Sequence, residues 1–415
     1  MSAPILLRNL KLLDPAFDEP RDGYEVLVEG ERIREVSDSA IRADSADVVD
    51  CGGRVLMPGL IDCHVHSMHS EVYTRRLEDV PLTLAAARGA RRLRQMIDRG
   101  FTTVRDAGGT DWGMKTAVES GLIPGPRMFI AGRSIGPTGG HSDGRSRTSA
   151  GYACPCCNGM AFLRIVVDGE EQVRKVVREQ MRQGSDQIKI MVSGGVASPY
   201  DPLDSLQFSI PEIEAAVEEA ENFGRYVMAH AYSAEAITRA VSHGVRTIEH
   251  GNLIDADAAA LMAEKEAYLV PNLVAYVAMK ERAAGFGMPA SMLEKNEVVL
   301  EGGYRSLELC AAAGVKVAYG TDLLGDLAED QSREFSIRRE VQPAIEVIRA
   351  ATTIAAEVLR RPGQLGTVAP GAWADLILLD GDPVADISRL EGQGRHMPMI
   401  MKGGTFHKNT LRGAA

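Results

Sequence analysis

The stretch GLIDCHVHSMHS, residues 59–70, places two histidines, His64 and His66, one residue apart at the end of an apolar run. In an extended strand, side chains at i and i+2 point to the same face. The two imidazoles therefore share a side where a strand gives way to a loop. Two imidazoles on one face can hold a metal ion together, and they can equally be unrelated polar residues. The surrounding chain decides between these readings.

From residue 59 onward, strand-length apolar runs alternate with segments of helical period. The expected strands are 59–66, 101–107, 126–132, 186–193, 225–231, 245–251, 267–273 and 315–322. Amphipathic segments such as 210–224, 233–244 and 255–266 lie between them. This alternation predicts a parallel sheet with helical crossovers. Eight such strands, with no glycine-rich phosphate loop after the first, predict an α/β fold of the closed (β/α)8 TIM-type barrel class rather than an open sheet. Two longer connections, 133–185 and 274–314, interrupt the count.

The ends of the chain read differently. Residues 5–14 and 24–37 are rich in strand formers, with a tight turn at EGER (29–32). Residues 374–383 and 397–405 have the same character. The expected organisation is a discontinuous β-sandwich domain from 1–58 plus 366–415, flanking a barrel domain from 59–365.

Composition narrows the function. The 415 residues carry a formal charge of −11, which argues against a nucleic acid or an anionic membrane as the main partner. The basic stretch ARGARRLRQMIDRG (87–100) reads as a helix with a solvated arginine face. No apolar run is long enough to span a bilayer, and the first residues lack the pattern of a signal peptide. Six cysteines, scattered except for CPCC at 154–157, suit a reducing cytoplasm. The Cys154, Cys156, Cys157 group lacks an obvious fourth ligand at zinc-finger spacing and reads as a loop of reduced thiols. A cytoplasmic homo-oligomer is the expectation.

In a barrel of this type, chemistry sits at the C-terminal ends of the strands. His64 and His66 stand at the end of strand one, Lys189 inside the apolar strand four, His230 at the end of strand five, His250 at the end of strand six, and Asp322 at the end of strand eight in YGTD. Each has an ordinary explanation by itself: a satisfied polar group, a snorkelling lysine, a helix cap. Their convergence on one end of one barrel does not.

This set resembles the amidohydrolase superfamily of metal-dependent barrel hydrolases, and the resemblance covers nearly the whole chain. It implies that His64, His66 and Asp322 hold one divalent metal ion, that His230 and His250 hold a second, and that Lys189, carboxylated by CO2 to N6-carboxylysine, bridges the two. Zinc suits these donors best; manganese, cobalt and iron suit them as well. It also implies that Asp322 accepts the proton of the attacking water and returns it to the leaving amine.

The segments QIKIMVSGGVASPYDP (187–202), VMAHAYSAEAI (227–237) and VRTIEHGNLID (245–255) are similar to a prolidase-like and imidazolonepropionase-related subgroup. That similarity implies a small-molecule substrate, a dipeptide or N-acyl amino acid, with L-Xaa-L-Pro favoured. His141 and Tyr232 are the expected substrate contacts. Cleavage before a C-terminal Arg or Lys is the alternative; it requires a carboxylate in the pocket, for which Asp143, Asp201 and Asp204 are the candidates. Other amides, such as an imidazolone or ochratoxin, suit the same scaffold. A mononuclear deaminase would dispense with Lys189, and a catalytically inactive relative would lack several of the six ligands.

Overall fold

Strands buried on both faces need a helical layer outside them, and the middle of this chain is built that way. The computed structural model describes residues 3–145, 163–198 and 200–411. At the N-terminus lie β1 (Ile5–Leu12), β2 (Arg21–Glu29), β3 (Arg32–Ser37) and β4 (Asp47–Pro58). The barrel strands are β5 (Leu60–Val65), β6 (Phe101–Asp106), β7 (Arg127–Ile130), β8 (Ser134–Gly136), β9 (Arg164–Val166), β10 (Ile188–Met191), β11 (Val227–Ser233), β12 (Thr247–Leu253) and β13 (Tyr268–Val270). The C-terminal strands are β14 (Leu376–Leu379), β15 (Met399–Lys402) and β16 (Thr405–Asn409).

The two chain ends meet in one mixed sheet of order β16-β15-β14-β4-β1-β2-β3. Gly30, at φ +58°, turns β2 into β3 where EGER predicts a turn. In β14 all four residues of LILL are buried, and alternation divides them between two cores. Leu376 and Leu378 pack with Leu7, Val26 and Met399 inside the end domain. Ile377 and Leu379 pack with Leu93, Phe101 and Val347 of the barrel. One short strand thus seats the end domain on the barrel.

The barrel strands run parallel in the orders β5-β6-β7 and β13-β12-β11-β10-β8-β9. The eighth strand expected at 315–322 is not a regular strand. A single bridge joins Leu269 to Val317, and then irregular backbone bonds to β5: Cys63 donates to Tyr319, and Asp322 donates to His64. Asp322 sits at φ +50°, outside strand geometry. The expected third strand also divides: β7 ends at Ile130, and β8 and β9 begin inside what reads as a long connection. The other long connection is filled by helices Leu273–Arg282 and Ala290–Ala313.

The arginine-rich helix runs Leu82–Asp98, and its basic face is not wholly solvated. Arg92 is buried and donates to the carbonyls of Ser67 and His69. Arg99, just past its end, is buried against Gln331 and the Ala328 carbonyl. Guanidinium groups here serve as multi-donor anchors for loop carbonyls, a use that charge patterning does not reveal. No helix among the described residues is long and apolar enough to cross a membrane.

Candidate metal centre

At the C-terminal end of the barrel the sequence-expected residues converge on one cavity of roughly 960 Å³, counted to its open mouth. His64, His66, Lys189, His230, His250, Asp322, His141 and Tyr232 all line it. Six of the chain's nine histidines do so, with His69 the sixth. Their rings form a run: His66 to His64 at 5.2 Å, His64 to His250 at 5.2 Å, His250 to His230 at 4.6 Å, and His230 to His141 at 4.4 Å between centroids.

The hydrogen bonds behind these rings fix which nitrogen faces the cavity. His64 Nδ1 lies 2.7 Å from the Glu249 carboxylate, and His66 Nδ1 lies 2.9 Å from the Gly108 carbonyl. Both acceptors require an Nδ1–H, so each Nε2 presents a lone pair. Those Nε2 atoms stand 3.4 and 3.2 Å from Asp322 Oδ1. His230 Nε2 donates to the Gly194 carbonyl at 3.0 Å, which leaves Nδ1 as its lone-pair atom. Lone pairs gathered around a carboxylate oxygen repel one another unless positive charge lies among them. The donor set of imidazole nitrogen and carboxylate oxygen therefore fits a divalent cation. His64, His250 and Asp322 each offer a donor atom, all within 4.8 Å of one another.

Protonation at His230 and His250 agrees with that fit. Burial holds His230 and His250 well below the ordinary imidazole range, so both are neutral. Burial alone would raise the Asp322 carboxyl, but positive charge at the His64 and His66 positions holds it well below its usual range, the role a bound cation would fill when their Nε2 atoms are free to ligate. Lys189 is fully buried, and burial lowers its ammonium to about 8. Among the described residues it makes no hydrogen bond. Backbone strain collects at the same place, since His250 (φ +77°) and Asp322 (φ +50°) are both non-glycine residues in the left-handed region.

Residues 55–405 match the Amidohydrolase family. The chain belongs to the amidohydrolase family. Among solved structures, this amidohydrolase is similar to a prolidase complexed with N-methylphosphonate-L-proline, with a TM-score of 0.95 and 46% identity over 98% of this chain and 100% of that one. It is also similar to a Xaa-Pro dipeptidase with bound methionine in its active site, with a TM-score of 0.87 and 30% identity over 98% and 100% of the two chains. Among curated proteins it is 30% identical to the ochratoxinase of Aspergillus niger over 374 residues, covering 85% of this chain and 76% of that protein.

The remaining expected residues of the amidohydrolase divide by position. His141 Nδ1 pairs with Asp201 Oδ2 at 3.0 Å, and the Asp201 carboxylate also accepts from the Gly195 amide. A Cβ on Gly195 would come within 2.3 Å of the His141 ring, so only glycine lets that ring sit there. Tyr232 lies against the His230 and His250 rings, and its hydroxyl meets that of Tyr276 at 2.9 Å. Asp143 forms an ion pair with Arg145, and Asp204 is exposed; neither lines the cavity. The cluster Cys154, Cys156, Cys157 falls outside the described residues.

Sequence reading missed the support behind His64. Glu249 accepts two hydrogen bonds from Arg105, at 2.8 and 2.9 Å, and one from His64. Both Glu249 and Arg105 side chains have 0% exposure. Burial would raise Glu249, but Arg105 and His64 outweigh it and keep the carboxylate ionised. This carboxylate fixes the tautomer and orientation of His64. Removing its charge leaves Arg105 buried and unpaired. Glu249→Gln is expected to destabilise the fold by about 3–5 kcal/mol, read by denaturant unfolding. It is also expected to weaken metal binding by about 10–100-fold, read by metal titration. An unchanged unfolding midpoint would show that the pair contributes nothing.

Proposed function

We propose that this amidohydrolase cleaves the amide bond of N-acyl-L-proline and L-Xaa-L-Pro compounds at a centre of two divalent metal ions. The observation that carries the substrate side is the charge of the cavity wall. Among the described lining residues Asp322 is the one carboxylate, and it belongs to the centre itself. The stretch 146–162 contains no Asp or Glu. A leaving Arg or Lys would bury its cation with no anionic partner, at a cost of several kcal/mol. The wall past β13 and Asp322 is instead apolar, formed by Ala275, Met279, Met288 and Leu323. Such a wall suits a proline ring. Its methionines also let it repack around a phenylalanine, the reading favoured for amides such as ochratoxin.

His64, His66 and Asp322 would hold one ion, His230 and His250 the other, and Lys189 as an N6-carboxylate would bridge them. When bound, the ions polarise the amide carbonyl and lower the pKa of water toward ~7. Burial supports this reading of Lys189, because it favours the neutral amine, and only the neutral amine adds to CO2. Asp322 takes the proton from the attacking water and carries it to the leaving nitrogen, so that nitrogen departs as a neutral amine. His141, braced by Asp201, stands at the cavity wall to contact the reacting carbonyl oxygen. Tyr232 and Tyr276 form the hydroxyl pair behind His250.

The test is amine release from Ala-Pro, N-acetyl-proline, N-acetyl-phenylalanine, Ala-Arg and Ala-Lys by zinc-supplemented protein, with Lys189→Met as the blank. The proline compounds are expected to be cleaved, and the basic dipeptides at least 100-fold more slowly in kcat/KM. Efficient cleavage of Ala-Arg or Ala-Lys would contradict the substrate assignment and leave the chemistry standing.

A further inference from the structure

The loop after β10 closes tightly on itself, and two glycines allow it. A Cβ on Gly194 would come within 1.8 Å of the Pro202 carbonyl oxygen, and one on Gly195 would meet the His141 ring. The Gly195 amide donates to Asp201 Oδ2 at 3.1 Å, the oxygen that also pairs with His141. Val196 and Ala197 of this loop line the cavity, and the Gly194 carbonyl accepts from His230. The loop thus borders both His141 and His230. On its other side the carbonyls of Gly195, Ser198 and Asp201 converge on one point.

The Lys295 ammonium occupies that point. Nζ donates to the Gly195 and Ser198 carbonyls at 3.0 and 2.9 Å, and to the Asp201 carbonyl. An ammonium has three N–H donors and no acceptor, so these three main-chain oxygens use its whole capacity. Lys295 stands on helix Ala290–Ala313. One turn further along that helix, Asn252 of β12 donates to the Val299 carbonyl at 2.7 Å. The ammonium therefore joins a helix tied to the barrel to the loop that carries Asp201.

We propose that Lys295 is a positioning residue of the centre: its ammonium gathers the carbonyls of Gly195, Ser198 and Asp201, and so holds the Asp201 carboxylate against His141. This rests on the reading of His141 as the contact to the reacting carbonyl oxygen. Lys295 does not line the cavity, so it acts only through the loop. Negative charge grows on the carbonyl oxygen as water adds to the acyl carbon. A displaced His141 therefore costs more in the transition state than in the substrate complex, and the loss falls on kcat rather than on KM.

Lys295→Met removes the three donors and keeps the apolar stem. Its kcat for N-acetyl-proline is expected to fall by about 10–100-fold, the size of a misplaced contact group, with KM changed by less than about threefold. In a His141→Gln background the same substitution is expected to cost little more, because both changes act on one contact. In Lys295→Ala, n-propylammonium replaces the lost atoms and is expected to restore kcat by about tenfold, whereas tetramethylammonium, a cation without N–H, restores nothing. The hydrogen-bonded imidazole proton of His141, assigned in the NMR spectrum by its loss in His141→Gln, is expected to shift or vanish in Lys295→Met. Near-wild-type kcat in Lys295→Met, a loss confined to KM, or an undiminished loss in the His141→Gln background overturns the proposal. So does a folded Lys295→Ala that tetramethylammonium restores as well as propylammonium does. If Lys295→Ala does not fold, the methionine variant decides by kinetics and by the proton signal. If the wild type cleaves none of the amides, the hydrolase reading falls and the proton decides alone: its loss in Lys295→Met supports the clamp on His141, and its persistence overturns it.

Discussion

Replacing Asp322 by Asn is expected to lower kcat for N-acetyl-proline by about 10²–10⁴, the range lost with a positioned proton-transfer group. The substitution changes shape very little. The amide keeps an oxygen to face the Nε2 atoms of His64 and His66, which lie 3.4 and 3.2 Å from Oδ1 in the native side chain. It loses the ability to take a proton. Metal content is therefore expected to stay near the wild-type count while turnover collapses, a combination read by elemental analysis beside steady-state kinetics. The backbone gives the variant a good chance to fold, because Asn tolerates the left-handed conformation that Asp322 adopts at φ +50°. A variant that turns over at more than a tenth of the wild-type rate would remove Asp322 from the proton path.

Lys189→Met carries the second large effect. A lysine buried in an apolar strand, with no hydrogen bond among the described residues, contributes little to folding through its ammonium. Replacing it by an unbranched apolar side chain of similar length is expected to leave the thermal midpoint unchanged or raised. The centre is expected to lose the bridging ligand. Bound metal should fall from two ions per chain toward one, and kcat/KM by about 10³ or more, since metal polarisation supplies several kcal/mol of transition-state stabilisation. A folded variant that keeps two ions and wild-type turnover would make Lys189 an ordinary core residue.

Much of the cavity lining is legible in the sequence because a barrel places strand ends together. HVH, YGTD, the histidines of AHAY and IEHG, and the lysine of QIKIM each stand at a strand end or inside an apolar strand, where a charged or imidazole side chain conflicts with its surroundings. What alternation hides is Glu249. It adjoins His250, so an ideal strand would point the two to opposite faces. Yet both reach His64, because the left-handed backbone at His250 and Gly251 breaks the alternation. Arg105 gives no local signal, because the groups that satisfy its buried guanidinium, Glu249, Thr247 and the Cys63 carbonyl, stand on other strands. Arg92 and Arg99 read as solvated for the same reason: their partners, loop carbonyls for Arg92 and Gln331, Gln393 and the Ala328 carbonyl for Arg99, are distant in sequence. The stretch 315–322 reads as a regular strand, whereas a single bridge, Leu269 to Val317, forms there. A Cβ at Gly320 would press on Val270 and Asn272, and the backbone leaves strand geometry at Asp322.

The central claim is a two-metal centre built on Lys189. The most direct measurement is the metal content of the dialysed protein, followed through chelation and stepwise reloading with zinc while N-acetyl-proline hydrolysis is recorded. Two divalent ions per chain are expected, with activity lost on chelation and restored only as the second equivalent binds. Full activity with one ion per chain, or with none, would contradict it.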